Sequence, residues 1–244
     1  MALVLHQGVD DETPCAYLPG RWARMEQRVM VNVTSGEADA LLDRGWRHFG
    51  PMWFRPVCEG CQACVSVRLD VKNFVPDRSQ SRALKKAQRL RKELSVPVVD
   101  DTRLALFHAW HATREGTRGW KAEGLDERTY ALQFAFPCVT AREVAYYDDE
   151  AGGKLVMVGI CDESPRGYSA IYCFHDPAYA RWSLGTGNIM TLIELSRRLG
   201  LPYVYLGYAV ADCQSLRYKG NYRPQETLVG IVPDGGEPEW KAGT

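Results

Sequence analysis

Three strand-like runs, Glu143–Tyr147, Lys154–Ile160 and Tyr168–Phe174, follow one another with only the polar turns Asp148–Gly153 and Ser164–Gly167 between them. Turns this short close antiparallel hairpins and leave no room for a crossover, so the middle of the chain is committed to a β-meander. Gly185-Thr186-Gly187-Asn188 then opens an amphipathic helix through Ile189, Leu192, Ile193 and Leu199, which Gly200 and Pro202 end. An apolar strand, Tyr203–Val210, follows. The pattern predicts an α+β fold whose sheet is mixed and mostly antiparallel.

The N-terminal half is patterned differently. Thr34-Ser35-Gly36-Glu37 opens a short helix that Gly45 ends, and Trp46–Phe54 reads as a strand broken at Gly50-Pro51. From Ser79 to Leu94 the residues Ala83, Leu84, Ala87, Leu90 and Leu94 recur at helical spacing. A proline and two acidic residues within Ser95–Asp101 then mark a boundary, giving expected domains 1–100 and 101–244. The 244 residues, 45% apolar and 25% charged, exclude a disordered tail or a collagen-like chain. Apolar runs such as Leu155–Ile160 fall far short of the roughly 20 residues a membrane helix needs, and Met1–Asp10 has no basic-then-apolar leader. A cytoplasmic protein without a membrane partner is expected.

Thirty basic residues balance thirty acidic ones, so any polyanion must meet a local patch. One such patch is Arg78–Lys92, where Arg78, Arg82, Lys85, Lys86, Arg89, Arg91 and Lys92 occur without an acid among them. Like charges at helical spacing repel, so an anionic partner is expected, and a phosphate backbone suits it. Of eight cysteines, Cys58, Cys61 and Cys64 fall within seven residues. That spacing suits a zinc or iron–sulfur centre with Cys15 or His48 as fourth ligand, and equally three reduced thiols packed in a turn. No H-E-x-x-H or G-x-S-x-G motif indicates metal-dependent hydrolysis or a serine nucleophile.

The order meander, glycine-rich turn, helix, strand is that of the acyltransferase core of N-acetyltransferases (the GNAT superfamily), an analogy of fold alone. Those enzymes cradle a pyrophosphate on (Arg/Gln)-x-x-Gly-x-(Gly/Ala) at a helix start. Here Trp182-Ser183-Leu184-Gly185-Thr186-Gly187 keeps the glycines and replaces the first polar residue by tryptophan, which fits a different activated acyl donor.

The chain resembles the aminoacyl-tRNA–protein transferases of the N-degron pathway, the arginyl- and leucyltransferases. The stretches that carry the likeness are Cys15–Pro19, Phe54–Cys64, Arg78-Ser79-Gln80, Asp176-Pro177, Ser183-Leu184-Gly185, Tyr205–Tyr208 and Tyr218–Pro224, in family order. The Cys-x2-Cys-x2-Cys arrangement is similar to the bacterial leucyltransferases, and the segment from Asp212 to Pro224 to the arginyltransferases. The resemblance implies an N-terminal cysteine-containing family domain, a C-terminal GNAT-like core, and transfer of Arg or Leu from aminoacyl-tRNA to proteins beginning with Asp or Glu.

On that reading Arg78, Ser79, Gln80, Arg82, Lys85, Lys86 and Arg89 would face the acceptor stem, with the tRNA 3′ end near Ser183, Gly185 and Gly187. Tyr172 and Tyr208 would shape the aminoacyl pocket, and Lys219 or Arg223 would pair with the acceptor's carboxylate. Asp176 is the candidate general base, and Cys15, Cys58, Cys61 and Cys64 the candidate metal ligands. The ester is already activated, so the chemistry itself requires no cofactor. An acetyl-coenzyme A-dependent N-acetyltransferase and a non-catalytic metal- and RNA-binding module are the alternatives.

Overall fold

The structure is a computed structural model that describes residues 1–118 and 125–243. The first half contains β1 (Leu3–Val9), β2 (Thr13–Pro14), β3 (Trp22–Ala23), β4 (Met25–Val31), α1 (Ser35–Asp43), β5 (Arg47–Phe49), β6 (Met52–Pro56), β7 (Val65–Asp70), α2 (Arg78–Gln88) and β8 (Arg91–Ser95). The second contains α3 (Asp101–Arg118), α4 (Glu127–Phe134), β9 (Ala141–Asp148), β10 (Lys154–Ser164), β11 (Gly167–His175), α5 (Leu184–Leu199), β12 (Tyr203–Ala209), β13 (Gln225–Leu228) and β14 (Trp240–Ala242).

The expected meander is β9-β10-β11, antiparallel throughout, and α5 returns the chain to lay β12 parallel to β11. Gly200 ends α5 at φ +69°, a left-handed conformation that glycine adopts without steric cost. Among the described residues these strands belong to an eight-stranded sheet in the order β14-β13-β7-β12-β11-β10-β9-β8. The fold is therefore α+β with a mixed, mostly antiparallel sheet. β7 and β8, from before residue 100, hydrogen-bond to β12 and β9 from after it.

Two apolar layers cover the sheet. Leu69, Val144, Tyr146 and Val204 pack with Ala87 of α2 and Ile189, Leu192 and Ile193 of α5, while Phe174 and Val158 pack with Phe107 and Trp110 of α3 and Tyr130 and Phe134 of α4. A second sheet, β1-β4-β6-β5, buries Trp46 and Trp53 against Leu41 and Leu42 of α1. Thr34 caps α1 in a capping box with Glu37, as the sequence predicts.

The helix expected over Ser79–Leu94 stops at Gln88, and Arg91–Ser95 instead pairs with β9 as an edge strand. The backbone groups of β9 would otherwise lie open on that side. Pairing them outweighs the helical preference of Arg91-Lys92-Glu93-Leu94, all good helix formers, because propensity amounts to only a few tenths of a kcal/mol per residue.

A buried polar joint links the two sheets. His48 in β5 places Nε2 2.8 Å from Asp162 Oδ2 in β10 and Nδ1 2.9 Å from the Gly50 carbonyl, and stacks on Trp53. The other Asp162 oxygen accepts from Thr140 Oγ1 at 2.8 Å. Both ring nitrogens are engaged, so His48 is not placed as a fourth ligand for the cysteines. Burial disfavours the imidazolium, but the Asp162 carboxylate outweighs it and raises the His48 pKa. A raised folded-state pKa stabilises the fold fully below the unfolded value of about 6.5, and that contribution is lost as pH climbs through the raised value. Asp162→Asn is expected to lower unfolding free energy by about 3–5 kcal/mol at pH 6, since it strands a buried cation. Urea titrations should show the deficit shrinking towards pH 9; a deficit independent of pH would reject the ion-pair account.

Candidate functional site

β11 and β12 pair only through Gly167, Tyr168 and Ser169 opposite Tyr203, Val204 and Tyr205. Beyond these three pairs β11 runs on to His175 and β12 to Ala209 without bonding each other. The register of β12 against β7 shifts between Tyr205 and Gly207, and Gly207 takes φ +80°. A parallel pair that parts in this way opens a cleft in the middle of the sheet.

The α5 N-terminus stands on one wall. Its cap, Ser183, is exposed, left-handed at φ +57°, and makes no side-chain cap hydrogen bond, so the amides of the first turn are available to an anion. A Cβ on Gly185 would lie 3.8 Å from Cys173 Sγ of β11, which puts the helix start directly over that strand. Gly187 faces elsewhere. A Cβ there would stand 2.9 Å from Ala87 Cβ and 3.3 Å from the Ala83 carbonyl, so its small size serves the α2–α5 contact.

The opposite wall is the 3-10 turn Arg217–Asn221. Lys219 is half-buried there, its Nζ 3.3 Å from the point a Gly207 Cβ would occupy. Burial and the nearby Arg47 guanidinium pull the Lys219 ammonium down to about 7, against the opposing influence of the Cys213 and Cys64 thiols. Gln80 Nε2 donates to the Asn221 carbonyl at 3.1 Å, and the buried Tyr222 that follows the turn packs in one apolar cluster with Leu184 and Ile189 of α5. This one turn thus touches α2, α5 and β12. Arg223 is exposed and Arg223-Pro224 is a cis peptide.

The basic segment divides into two groups. Arg78, Arg82 and Lys85 recur at i, i+4 and i+7 on the exposed side of α2. Arg89 instead pairs with Glu150 at 3.1 Å, Arg91 with Asp149 at 3.2 Å, and Lys86 donates to the Arg181 carbonyl at 2.6 Å. The acidic turn after β9 therefore compensates one end of the segment, which local spacing does not reveal. Gln80 is buried and completes the α2 capping box with Asp77, and Ser79 Oγ also bonds Asp77.

The remaining candidates are spread around the cleft. Tyr172 lies on the α3/α4 side, its hydroxyl 2.8 Å from His111 Nε2, whereas the Tyr208 hydroxyl donates to the Gly45 carbonyl at 2.7 Å. The two rings sit on parts of β11 and β12 that do not pair. Asp176 accepts from Lys154 Nζ at 2.5 Å and from the Ala178 amide at 2.8 Å. Partial burial raises its pKa, but these two donors prevail and the net shift is downward, opposite to what a base working near neutrality needs.

Cys15, Cys58, Cys61 and Cys64 gather beside Cys213. Burial first, then these four neighbours, push the Cys64 thiol up to about 12. Cys58 Sγ accepts from the Arg24 amide at 3.3 Å, and Arg21 Nη1 lies 3.7 Å from Cys61 Sγ. Cys58, Cys61, Cys64, Arg55 and Tyr208 line a cavity of about 610 Å³. Among the described residues no three His, Cys, Asp or Glu side chains are placed as a ready metal-binding group.

Comparison with known proteins covers both halves. The profile described as "Arginine-tRNA-protein transferase, N terminus" matches residues 13–82, and "Arginine-tRNA-protein transferase, C terminus" matches residues 102–229. The chain is 38% identical over 216 residues to the aspartate/glutamate leucyltransferase of Thiobacillus denitrificans, covering 88% of each chain. It is 34% identical over 220 residues to that of Campylobacter jejuni subsp. jejuni serotype O:6, covering 90% of this chain and 91% of the relative. Among solved structures, L-PGS from Bacillus licheniformis aligns at TM-score 0.44 and 12% identity, over 71% of this chain and 50% of that one. Among the described residues no helix is long and apolar enough to cross a membrane.

Proposed function

The chain belongs to the arginine-tRNA-protein transferase family, and from that membership we propose that it transfers leucine from leucyl-tRNA to the α-amine of proteins beginning with Asp or Glu. The observation that carries this reading is the likeness to aspartate/glutamate leucyltransferases across about nine-tenths of the chain. The cleft adds physical support, because it offers an anion-receptive helix start on one wall and a cation on the other. A charged-tRNA donor implies a cytoplasmic reaction.

The chemistry asks for little beyond orientation. The α-amine, with a pKa of about 7.7–8.0, attacks the ester carbonyl once it has lost a proton. A C–N bond forms, the ester C–O bond breaks, and the ribose hydroxyl leaves with a proton. No covalent enzyme intermediate is needed, which agrees with the missing nucleophile motifs. The first-turn amides of α5 receive the tRNA 3′ end at Ser183–Thr186, and the Arg78, Arg82, Lys85 stripe lies against the acceptor stem. Asp149 and Glu150 occupy Arg91 and Arg89, so the free stripe, rather than the whole basic segment, is the tRNA surface.

Incubation with labelled Leu-tRNA or Arg-tRNA and peptides beginning with Asp, Glu, Arg or Ala is expected to label the Asp and Glu peptides from Leu-tRNA. Absence of transfer from either donor to every peptide would reject the reading. Reversing Arg78, Arg82 and Lys85 to Glu should weaken tRNA binding and reduce the slope of log K against log salt by roughly one for each phosphate no longer neutralised. The same reversal should leave the melting temperature within a few degrees of the parent. An unchanged salt slope would move the donor surface away from α2.

A further inference from the structure

The second sheet and its junction with the first bury Arg28, Arg47, Arg55 and Arg68, and Arg103 is buried beside β9. Four of these five have a carboxylate within ion-pair distance: Arg28 has Asp234, Arg55 has Glu26, Arg68 has Asp43 and Glu226, and Arg103 has Glu143. Among the described residues Arg47 has none. Its Nη1 donates to the Leu42 and Trp46 carbonyls, while Nε and Nη2 are buried without a hydrogen-bond partner. Its guanidinium carbon lies 5.8 Å from the centres of the Tyr205 and Tyr208 rings. Asp162, the carboxylate that acts on Arg47 electrostatically, is held by His48 and Thr140.

Arg47 is 8% exposed, and a buried cation without a counter-charge is costly. A second cation stands beside it. The point a Gly207 Cβ would occupy is 3.5 Å from Arg47 Nε and 3.3 Å from Lys219 Nζ, and no ion pair to Lys219 occurs among the described residues. Two like charges brought together at a bare Cα, where the sheet opens, describe a site missing an anion. Resting on the function proposed above, we infer that Lys219, with Arg47 behind it and Gly207 leaving the space, receives the acidic side chain of the acceptor's first residue. Lys219 makes the contact at the half-buried edge. Arg47 is a positioning charge that strengthens the field there without touching the acceptor. The exposed Arg223 stands outside this arrangement.

The test compares kcat/KM for peptides beginning with Asp, Asn, Glu and Gln, using the full chain and Leu-tRNA. The parent is expected to favour Asp over Asn. Lys219→Gln should reduce that preference roughly 30-fold or more, through acceptor KM and with Leu-tRNA affinity unchanged. Lys219→Glu should move the preference towards peptides beginning with Lys or Arg. A folded Lys219→Gln protein that keeps the parental Asp-to-Asn ratio would overturn the inference. Should that variant fail to fold, Lys219→Arg keeps the charge and displaces it, and an unchanged Asp-to-Glu ratio would overturn the inference instead. Direct titration of fluorescent Asp- and Asn-initiated peptides reads the site without transfer. Lack of transfer by the parent is a failure of the proposed function, whereas equal affinity for the two peptides is a failure of this site.

Discussion

The candidate site depends on two parallel strands that stay bonded for three residue pairs and then separate. A continued ladder would satisfy each backbone group and leave nothing for a ligand to meet. Once β11 and β12 part, the first turn of α5 and the 3-10 turn at Arg217–Asn221 become the walls of an opening that is otherwise sheet. Both walls are backed by packing, α5 by its contact with α2 and the turn by Gln80 and by the buried Tyr222 ring that follows it. Packing of this kind holds the sides of the cleft in place, as the orientation-driven reaction proposed above requires.

Charge is handled differently in the two places where the protein concentrates it. Four buried guanidiniums, Arg28, Arg55, Arg68 and Arg103, are each matched by carboxylates, and these pairs tie together elements from distant parts of the chain. Around Gly207 the matching stops. The contrast has weight because the same protein shows how it treats a buried arginine when only structure is at stake. The His48–Asp162 pair next door follows the structural pattern, with both ring nitrogens and both carboxylate oxygens engaged.

Much of the fold is legible in the sequence because it rests on local chemistry. The short polar turns dictate the meander, Thr34 and Glu37 announce α1, and Gly200 with Pro202 announces the end of α5. Non-local effects are not legible. Arg91–Leu94 is composed of helix formers, and the open edge of β9 overrides that local preference to make it a strand. Glycine at position 187 suits a phosphate cradle and a close helix contact equally well, and only the neighbour, Ala87, distinguishes them. Lys219 is reached through the family resemblance, which brings its segment forward. Arg47 is not, because a lone arginine in a three-residue strand carries no periodicity or motif, and its missing counter-charge exists only in three dimensions.

The contact at Gly187 also sets a length. With no side chain at Gly187 between α5 and Ala83 and Ala87 of α2, the two helices meet more closely than any larger residue there would permit. The row of cations on the outer side of α2 is consequently held at a fixed offset from the amides that open α5. On the proposed reading, a duplex end laid along α2 would reach the start of α5 at a set distance, a gauge of length that acts before any base or amino acid is inspected.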